Sequence, residues 1–528
     1  MISKISSSLI NGTVSSLTNT DSLSSTVSDP SVKEENLPVD NSSSETIHIS
    51  NNNPLVVEES LNVPQKFSPP NVREILESKI KNYVKEVEEN GKKKNIFDFH
   101  TFLKDTKVER ENKKLFVRYS NDAVICCYCL EDKNTCTDIN DFDFWSRSVI
   151  YDHSGNILAT QFNRILKNNE ATEFGKKYPS YSNAVLEKCY EGTSLLIYFH
   201  ESSWRVSTRK CLDASKSIWV KGTSYQKLLE EVIGKVTNEN MKSRGFDENN
   251  FYSVILVHHK IFSVVDYTKE LGKNYKKVFV TDCYEKVTLK KKSFTQESEG
   301  ISIPKTIENL EEINNTSSLN KRVDSEGFIA KLYCQESEHP VITKFQNALY
   351  QRLNSLKPNL QTQYQCYVEM YRKNTLHEYL EKTVENVNEV FKKVKEIVSL
   401  VSQYVYTAYV NTHIKKDKKF YSGLHPSYKR FIYAIHGMYL TEKKLNPLKK
   451  KIITKQNIES FIINSSTSED ILSVYYYETR NNRNKNKKKK TFAKKIVTNK
   501  LNKVFKKIPT KNESFLSEVH VEKIVKQK

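Results

Sequence analysis

Glu187-Lys188-Cys189-Tyr190-Glu191-Gly192-Thr193-Ser194-Leu195-Leu196-Ile197-Tyr198-Phe199 is the stretch on which the fold turns. A charged strand end runs into Glu191-Gly192, and an apolar strand follows. The next turn leads to Trp204-Arg205-Val206-Ser207-Thr208-Arg209-Lys210. Neighbouring side chains on a strand point to opposite faces, so Lys188 and Cys189 cannot both face one pocket. If Cys189 faces in, Lys188 faces out. A one-residue bulge before Gly192 would reverse this, because a bulge re-aims a side chain.

A chain of 528 residues is long enough for two or three domains, each with a core of its own. Only 37% of it is apolar, and Lys, Asn, Ser, Tyr and Ile abound, as in the AT-rich genomes of some cytoplasmic viruses and virus-like plasmids. There is no run of eighteen apolar residues, which argues against a transmembrane helix. Met1-Ile2-Ser3-Lys4 leads into serines rather than an apolar segment, so a secretory signal is not expected. The nine cysteines then read as reduced thiols of the cytosol.

The formal charge of +20 is unevenly spread: residues 1–68 carry a net −5 and residues 481–528 a net +13. A basic body with a more basic tail points to polyanions, nucleic acid first. Residues 1–68, rich in Ser, Asn, Thr and Pro, bury too little apolar surface to offset chain entropy and are expected to be disordered. After Ser68-Pro69-Pro70-Asn71 a helix carries Val72, Ile75, Leu76, Ile80, Val84 and Val87 at helical spacing.

Short strands follow at Leu115–Tyr119 and Ala123–Leu130, and residues 144–170 read as a hairpin turning at Asp152-His153-Ser154-Gly155-Asn156. Cys126 and Cys129 have CxxC spacing, but on a strand they point apart and cannot share a metal, so no zinc is expected. A helix is expected around Tyr225–Val236. Strands follow at Phe251–His259, Phe262–Tyr267 and Lys277–Thr281. Residues 285–320 are polar and read as a surface insertion. Then Asp324-Ser325-Glu326-Gly327 opens another apolar strand, with Val341–Gln346 beyond it. From there the pattern is helical: Asn347–Leu356, Tyr364–Tyr379, a long helix from Val384 to about Val410, and Tyr428–Leu440. The tail places Lys487, Lys488, Lys489, Lys490, Lys494 and Lys495 where they could track phosphates, each one neutralised steepening the log–log salt dependence by about 0.9. A lysine run also reads as a nuclear address, and Phe492, Ile496, Leu501 and Val504 near one face also fit a membrane surface.

The order of these segments resembles the covalent nucleotidyltransferase superfamily of ATP-dependent ligases and mRNA capping enzymes, nearest in pattern to RNA ligases of the T4 ligase 1 type. The match runs over roughly residues 110–350. Lys188-Cys189-Tyr190-Glu191-Gly192 matches the family's Lys-x-Asp/Glu-Gly, except that Cys189 stands where the lysine belongs and Lys188 falls one place early. Arg147 and Phe162-Asn163-Arg164 match the region before that motif. Glu326-Gly327 resembles the fourth motif, and Lys344 the first lysine of the fifth, whose second lysine is Gln346 here. The family's acid in the strand after the first motif falls at Ile255.

The resemblance implies an α+β fold: a ligase-type nucleotidyltransferase domain of antiparallel sheets and helices over 69–350, with the insertion at 285–320. An α-helical domain follows over 351–479, placed like the appendages that guide RNA ends, and then a basic tail over 480–528. It implies ATP or GTP and Mg²⁺ for an active enzyme. The nucleophile would be Lys188 or Cys189. Glu191, Gly192, Arg209, Lys210, Glu326 and Lys344 would bind nucleotide, and Glu326 the metal. In the family the lysine attacks the α-phosphate, so it needs a depressed pKa and cations to meet the phosphates. With Cys189, Ile255 and Gln346 all departing, the expected function is a degenerate, cytoplasmic, RNA-ligase-like protein that still binds nucleotide, RNA or DNA. Two alternatives remain: an active RNA ligase or guanylyltransferase using Lys188, and a scaffold acting through its helical domain and tail.

Overall fold

The computed structural model describes residues 70–89, 115–120, 123–128, 138–152, 154–220, 222–308, 323–335, 337–445 and 453–481. These fall into two compact units, with the main boundary between Thr362 and Gln363. The leader over 1–68 lies outside the described residues, as do Cys129, Cys136 and all six tail lysines.

The first unit is built on three sheets. Helix α1 (Val72–Glu89) lays Val72, Leu76 and Ile80 into the core, and Tyr151 ties to it by donating to the Leu76 carbonyl at 3.0 Å. Beside it lies an antiparallel sheet of β1 (Leu115–Tyr119), β2 (Val124–Tyr128), β3 (Val149–Tyr151) and β4 (Ile157–Thr160). The expected hairpin is β3–β4. Its turn is held by the Asp152 carboxylate, which accepts from the amides of Ser154 and Asn156 at 2.8 Å. Phe142–Trp145, half of it expected to be strand, is a helical turn instead, because Phe144 and Trp145 are both buried against the core and the Trp145 indole donates to the Ile139 carbonyl.

The second sheet runs β5-β16-β15-β6, from β5 (Leu166–Lys167), β6 (Asn183–Cys189), β15 (Gly327–Tyr333) and β16 (Val341–Gln346). The third is assembled on β7 (Thr193–His200), β8 (Ser203–Thr208), β11 (Asn250–His258) and β12 (Lys276–Glu285). A two-stranded ribbon, β9 (Ile218–Val220) with β10 (Thr223–Ser224), leads into helix α2 (Tyr225–Ile233), which Ser224 caps by accepting from the Lys227 amide. Leu228, Leu229 and Ile233 of α2 pack with Leu195, Ile197, Val254 and Leu256 on one side of the third sheet. Leu196, Tyr198 and Phe251 face the other core, which the three sheets share with α1. Burying each such side chain stabilises the fold by about 1.5–3 kcal/mol.

Two expectations are corrected here. Phe262–Tyr267 is a loop rather than a strand, because the amides of Val264 and Val265 donate to the Glu191 carboxylate instead of a neighbouring strand. Within the polar stretch 285–320, residues 285–308 are described and are not a free insertion. Strands β13 (Lys291–Lys292) and β14 (Ile301–Ser302) edge β12, and Ile301 is fully buried against Val278.

The first unit also includes helix α3 (Ala348–Leu356), capped by Asn347, which accepts from the Leu349 amide. The second unit is helical. The expected helix over 364–379 is two, α4 (Gln363–Arg372) and α5 (Leu376–Thr383), broken where Asn374 takes φ 57°. The long α6 (Val387–Tyr409) buries Val394, Ile397, Val398, Val401 and Val405 at helical spacing. It contacts α7 (Pro426–Leu445) and α8 (Lys455–Ser465).

Candidate nucleotide site

The registers of β6, β15 and β16 decide which side chains meet. Cys189 pairs with Gly327, Lys188 with Phe328 and Glu187 with Ile329; across the next pair Gly327 faces Gln346, Phe328 Phe345 and Ile329 Lys344. Paired residues share a face. One face therefore carries Glu187, Cys189, Lys331, Lys344 and Gln346, and the other carries Leu186, Phe328, Ala330, Leu332 and Phe345. The register is continuous to Cys189, with no bulge to re-aim Lys188. The charged face looks into a cavity of about 260 Å³, closed on its other side by residues of β7, β11 and β12 that include Ser194, Ile255 and Thr281.

Both Glu-Gly pairs have a steric origin. A Cβ on Gly327, at φ 137°, would stand 2.0 Å from the Phe345 carbonyl oxygen, and one on Gly192 would stand 2.6 Å from that of Leu256. Only glycine lets these backbones approach so closely. Each preceding glutamate is thereby set beside the cavity.

Cys189 occupies the inward position and is 4% exposed. Burial raises its thiol well above the usual range, Lys344 opposing and Glu326 adding. A neutral thiol is a poor nucleophile. Lys188 has part of the cavity wall, but its ammonium is 2.7 Å from Glu270 Oε2 and 5.1 Å from the centre of the Tyr190 ring. Tyr190 in turn stacks on Phe279 at 3.7 Å and donates to Glu270.

Two ammonium groups do face the cavity, and both are committed. Lys344 donates to Glu326 Oε1 at 2.8 Å, and the Gln346 amide donates to the same oxygen at 2.9 Å. Burial pushes the Glu326 carboxyl up, but Lys344 and Gln346 more than reverse it, so Glu326 ionises below its ordinary value. Burial likewise lowers Lys344, yet the Glu326 carboxylate 2.8 Å away leaves it raised and charged. Lys331, 2% exposed, donates to Glu187 Oε1 and the Thr281 carbonyl, both at 2.7 Å, and lies 3.0 Å from Asp282 Oδ1. Burial lowers its ammonium too, and Asp282 and Glu187 override that.

Arg147 lines the same cavity, yet no described residue closes a side-chain hydrogen bond or ion pair on it. Burial pushes its guanidinium down to about 10, with the like charge of Arg209 adding and Asp282 opposing. Lys167, exposed on β5, is close enough to feel Lys344, Glu326 and Arg147. Glu191 accepts from the amides of Val264 and Val265 at 2.8 and 2.9 Å, and burial raises its carboxyl to about 7 despite those bonds.

Of the residues singled out from sequence, Lys188, Cys189, Glu191, Gly192, Glu326 and Lys344 come together on one cavity, whereas Arg209 is not on its wall and acts on Arg147 only as a like charge. Lys210 is partly buried in the turn after β8 and is not on the cavity wall. Glu187, Asp282 and Lys331 were not anticipated. The alternation of Gly327–Tyr333 carried a signal for Lys331: a lysine opposite the face of Phe328, Ala330 and Leu332 must enter a polar space. The residues do not fit a metal held by the protein. The Glu326 oxygen that would take a cation already has Lys344, and no group of three His, Cys, Asp or Glu among the described residues could hold a metal ion. No helix among them is long and apolar enough to cross a membrane.

No family model and no curated protein matches the chain. Among solved structures it is similar to a putative ATP-dependent DNA ligase from Aquifex aeolicus, at 13% identity and a TM-score of 0.32, covering 56% of this chain and 78% of that one. It is also similar to an archaeal ATP-dependent RNA ligase, at 10% identity and a TM-score of 0.29, covering 56% of this chain and 74% of the other.

Proposed function

We propose that the cavity binds a nucleotide, free or at the end of a nucleic acid strand, without forming a covalent lysyl intermediate, and that the chain is a ligase-like nucleotidyltransferase that has lost that step. The observation that carries this is the division of cations in the cavity. Lys331 and Lys344 are each locked to carboxylates, Lys188 is paired with Glu270, Cys189 holds the inward place of the motif, and Arg147 has no carboxylate bonded to it among the described residues. A locked ammonium that stays protonated cannot attack a phosphate. A guanidinium whose donors no described residue takes is suited to receive one, because its planar fork matches phosphate oxygens. The Tyr190–Phe279 stack and Ile255 supply apolar wall for a base, and Glu191 supplies an acceptor for a ribose. RNA or DNA as partner, and a role for the tail lysines, belong to the same proposal.

Incubation with α-labelled ATP or GTP and Mg²⁺, followed by denaturation, is expected to leave no label on the protein. Equilibrium dialysis should still detect nucleotide, with Arg147→Ala weakening it by about tenfold, or 1.4 kcal/mol. Label that survives denaturation and disappears in Lys188→Ala would overturn this reading in favour of an active enzyme.

A further inference from the structure

We infer that the cavity takes a nucleotide bearing a single phosphate and holds it without a divalent metal, the Lys344 ammonium standing on Glu326 in the metal's place. This rests on the nucleotide-binding reading and narrows its substrate class.

Three observations converge. Glu326 is 5% exposed, so its carboxylate requires a compensating positive charge, and the chain supplies one from the neighbouring strand at 2.8 Å. Mg²⁺ is usually held by one or two protein carboxylates together with the phosphates it bridges. Of the cavity's other acids, Glu187 and Asp282 share the Lys331 ammonium at 2.7 and 3.0 Å, and Glu191 accepts from the amides of Val264 and Val265, so each already has a partner in the chain.

The second observation is charge balance. Four cations, Lys188, Lys331, Lys344 and Arg147, line the cavity with four carboxylates, Glu187, Glu191, Asp282 and Glu326; each lysine has a carboxylate within 3 Å, and among the described residues none is bonded to Arg147. One phosphate matches that single guanidinium. A triphosphate without metal brings several negative charges more into a low-dielectric space beside four glutamates and aspartates, and its charge would go unmet. The third is size: a cavity of about 260 Å³ is at the small end of ligand pockets, which run to about 300–1,000 Å³.

The test is calorimetric titration of the full-length protein with AMP, GMP and ATP, each in excess EDTA and in excess Mg²⁺. Monophosphate affinity is expected to agree within about twofold between the two conditions, with ATP no tighter than the monophosphate in either. Lys344→Met should lose about tenfold in EDTA and recover part of it in Mg²⁺, the ion then taking the vacated position. Should that variant not fold by circular dichroism, the comparison on the unaltered protein decides alone. A monophosphate affinity that rises tenfold with Mg²⁺, or Mg²⁺–ATP binding tenfold tighter than monophosphate, would overturn the inference while leaving nucleotide binding intact. No binding of any nucleotide in either condition would overturn both.

Discussion

The two faces of the β5-β16-β15-β6 sheet are held by opposite physics. On one, Phe328, Ala330 and Leu332 are at most 2% exposed and pack into the core shared by the three sheets. On the other, Lys331 is as buried as they are, and its charge is matched by Glu187 and Asp282. The apolar face gains from every contact it makes, roughly 25 cal/mol per Å² removed from water. The charged face gains little net, since desolvating its ions offsets their attraction. The charged arrangement adds little stability and is nonetheless built around a cavity, which is the ground for the proposed site. The difference teaches that period-two alternation separates the packed apolar face from the paired charged face on this sheet.

The largest test of the comparison removes the central ion. Lys331→Ala leaves two carboxylates buried without a partner and is expected to cost about 3–5 kcal/mol in urea unfolding at neutral pH. Leu332→Ala, one residue along on the apolar face, should cost about 2–5 kcal/mol through its cavity alone. The two differ in their response to acid: the Lys331→Ala cost should shrink as its carboxylates protonate, whereas the Leu332→Ala cost should not change with pH. Equal pH responses would break the contrast.

A smaller effect comes from Glu191. Its carboxyl ionises at about 7 in the fold against an ordinary 4.5, so between these values the native state keeps a proton that the unfolded chain has released. Stability must therefore fall as pH rises through that window, the loss being complete above about 7. Glu191→Gln should flatten this part of the pH–stability curve and leave the variant the more stable of the two above neutrality. The smallest effect is expected outside the charged face. Lys188→Ala gives up a partly exposed pair with Glu270, worth about 0–1 kcal/mol, and should leave nucleotide affinity unchanged. A large loss of affinity there would draw Lys188 into the site.

Local patterns carried much of this protein. The strand Thr193–His200, the hairpin turn at Asp152, helix Tyr225–Ile233 and the long helix at Val387–Tyr409 follow from alternation, turn residues and helical spacing, which act over a few neighbours. The two Glu-Gly pairs were visible as well, although their reason, a second backbone so near that an added Cβ would stand 2.6 Å or less from its carbonyl oxygen, was not. Sequence also posed the question of Lys188 against Cys189 in its proper form, because facing on a strand has only two answers.

Which answer holds was settled in three dimensions, by an unbroken register with Gly327 and Phe328 that lies far along the chain. The same is true of the loop at Val264 and Val265, whose amides look like those of a strand until Glu191 is seen to take them. Asp282 and Lys331 belong to different strands and different sheets, and nothing in either segment announces the other. The chain alone determined that charge, glycine and apolar strands recur in a certain order. Only tertiary structure decided which charges pair and left Arg147 facing the cavity with no carboxylate of the described residues bonded to it, because pairing depends on distances of about 3 Å between residues from 18 to 144 positions apart.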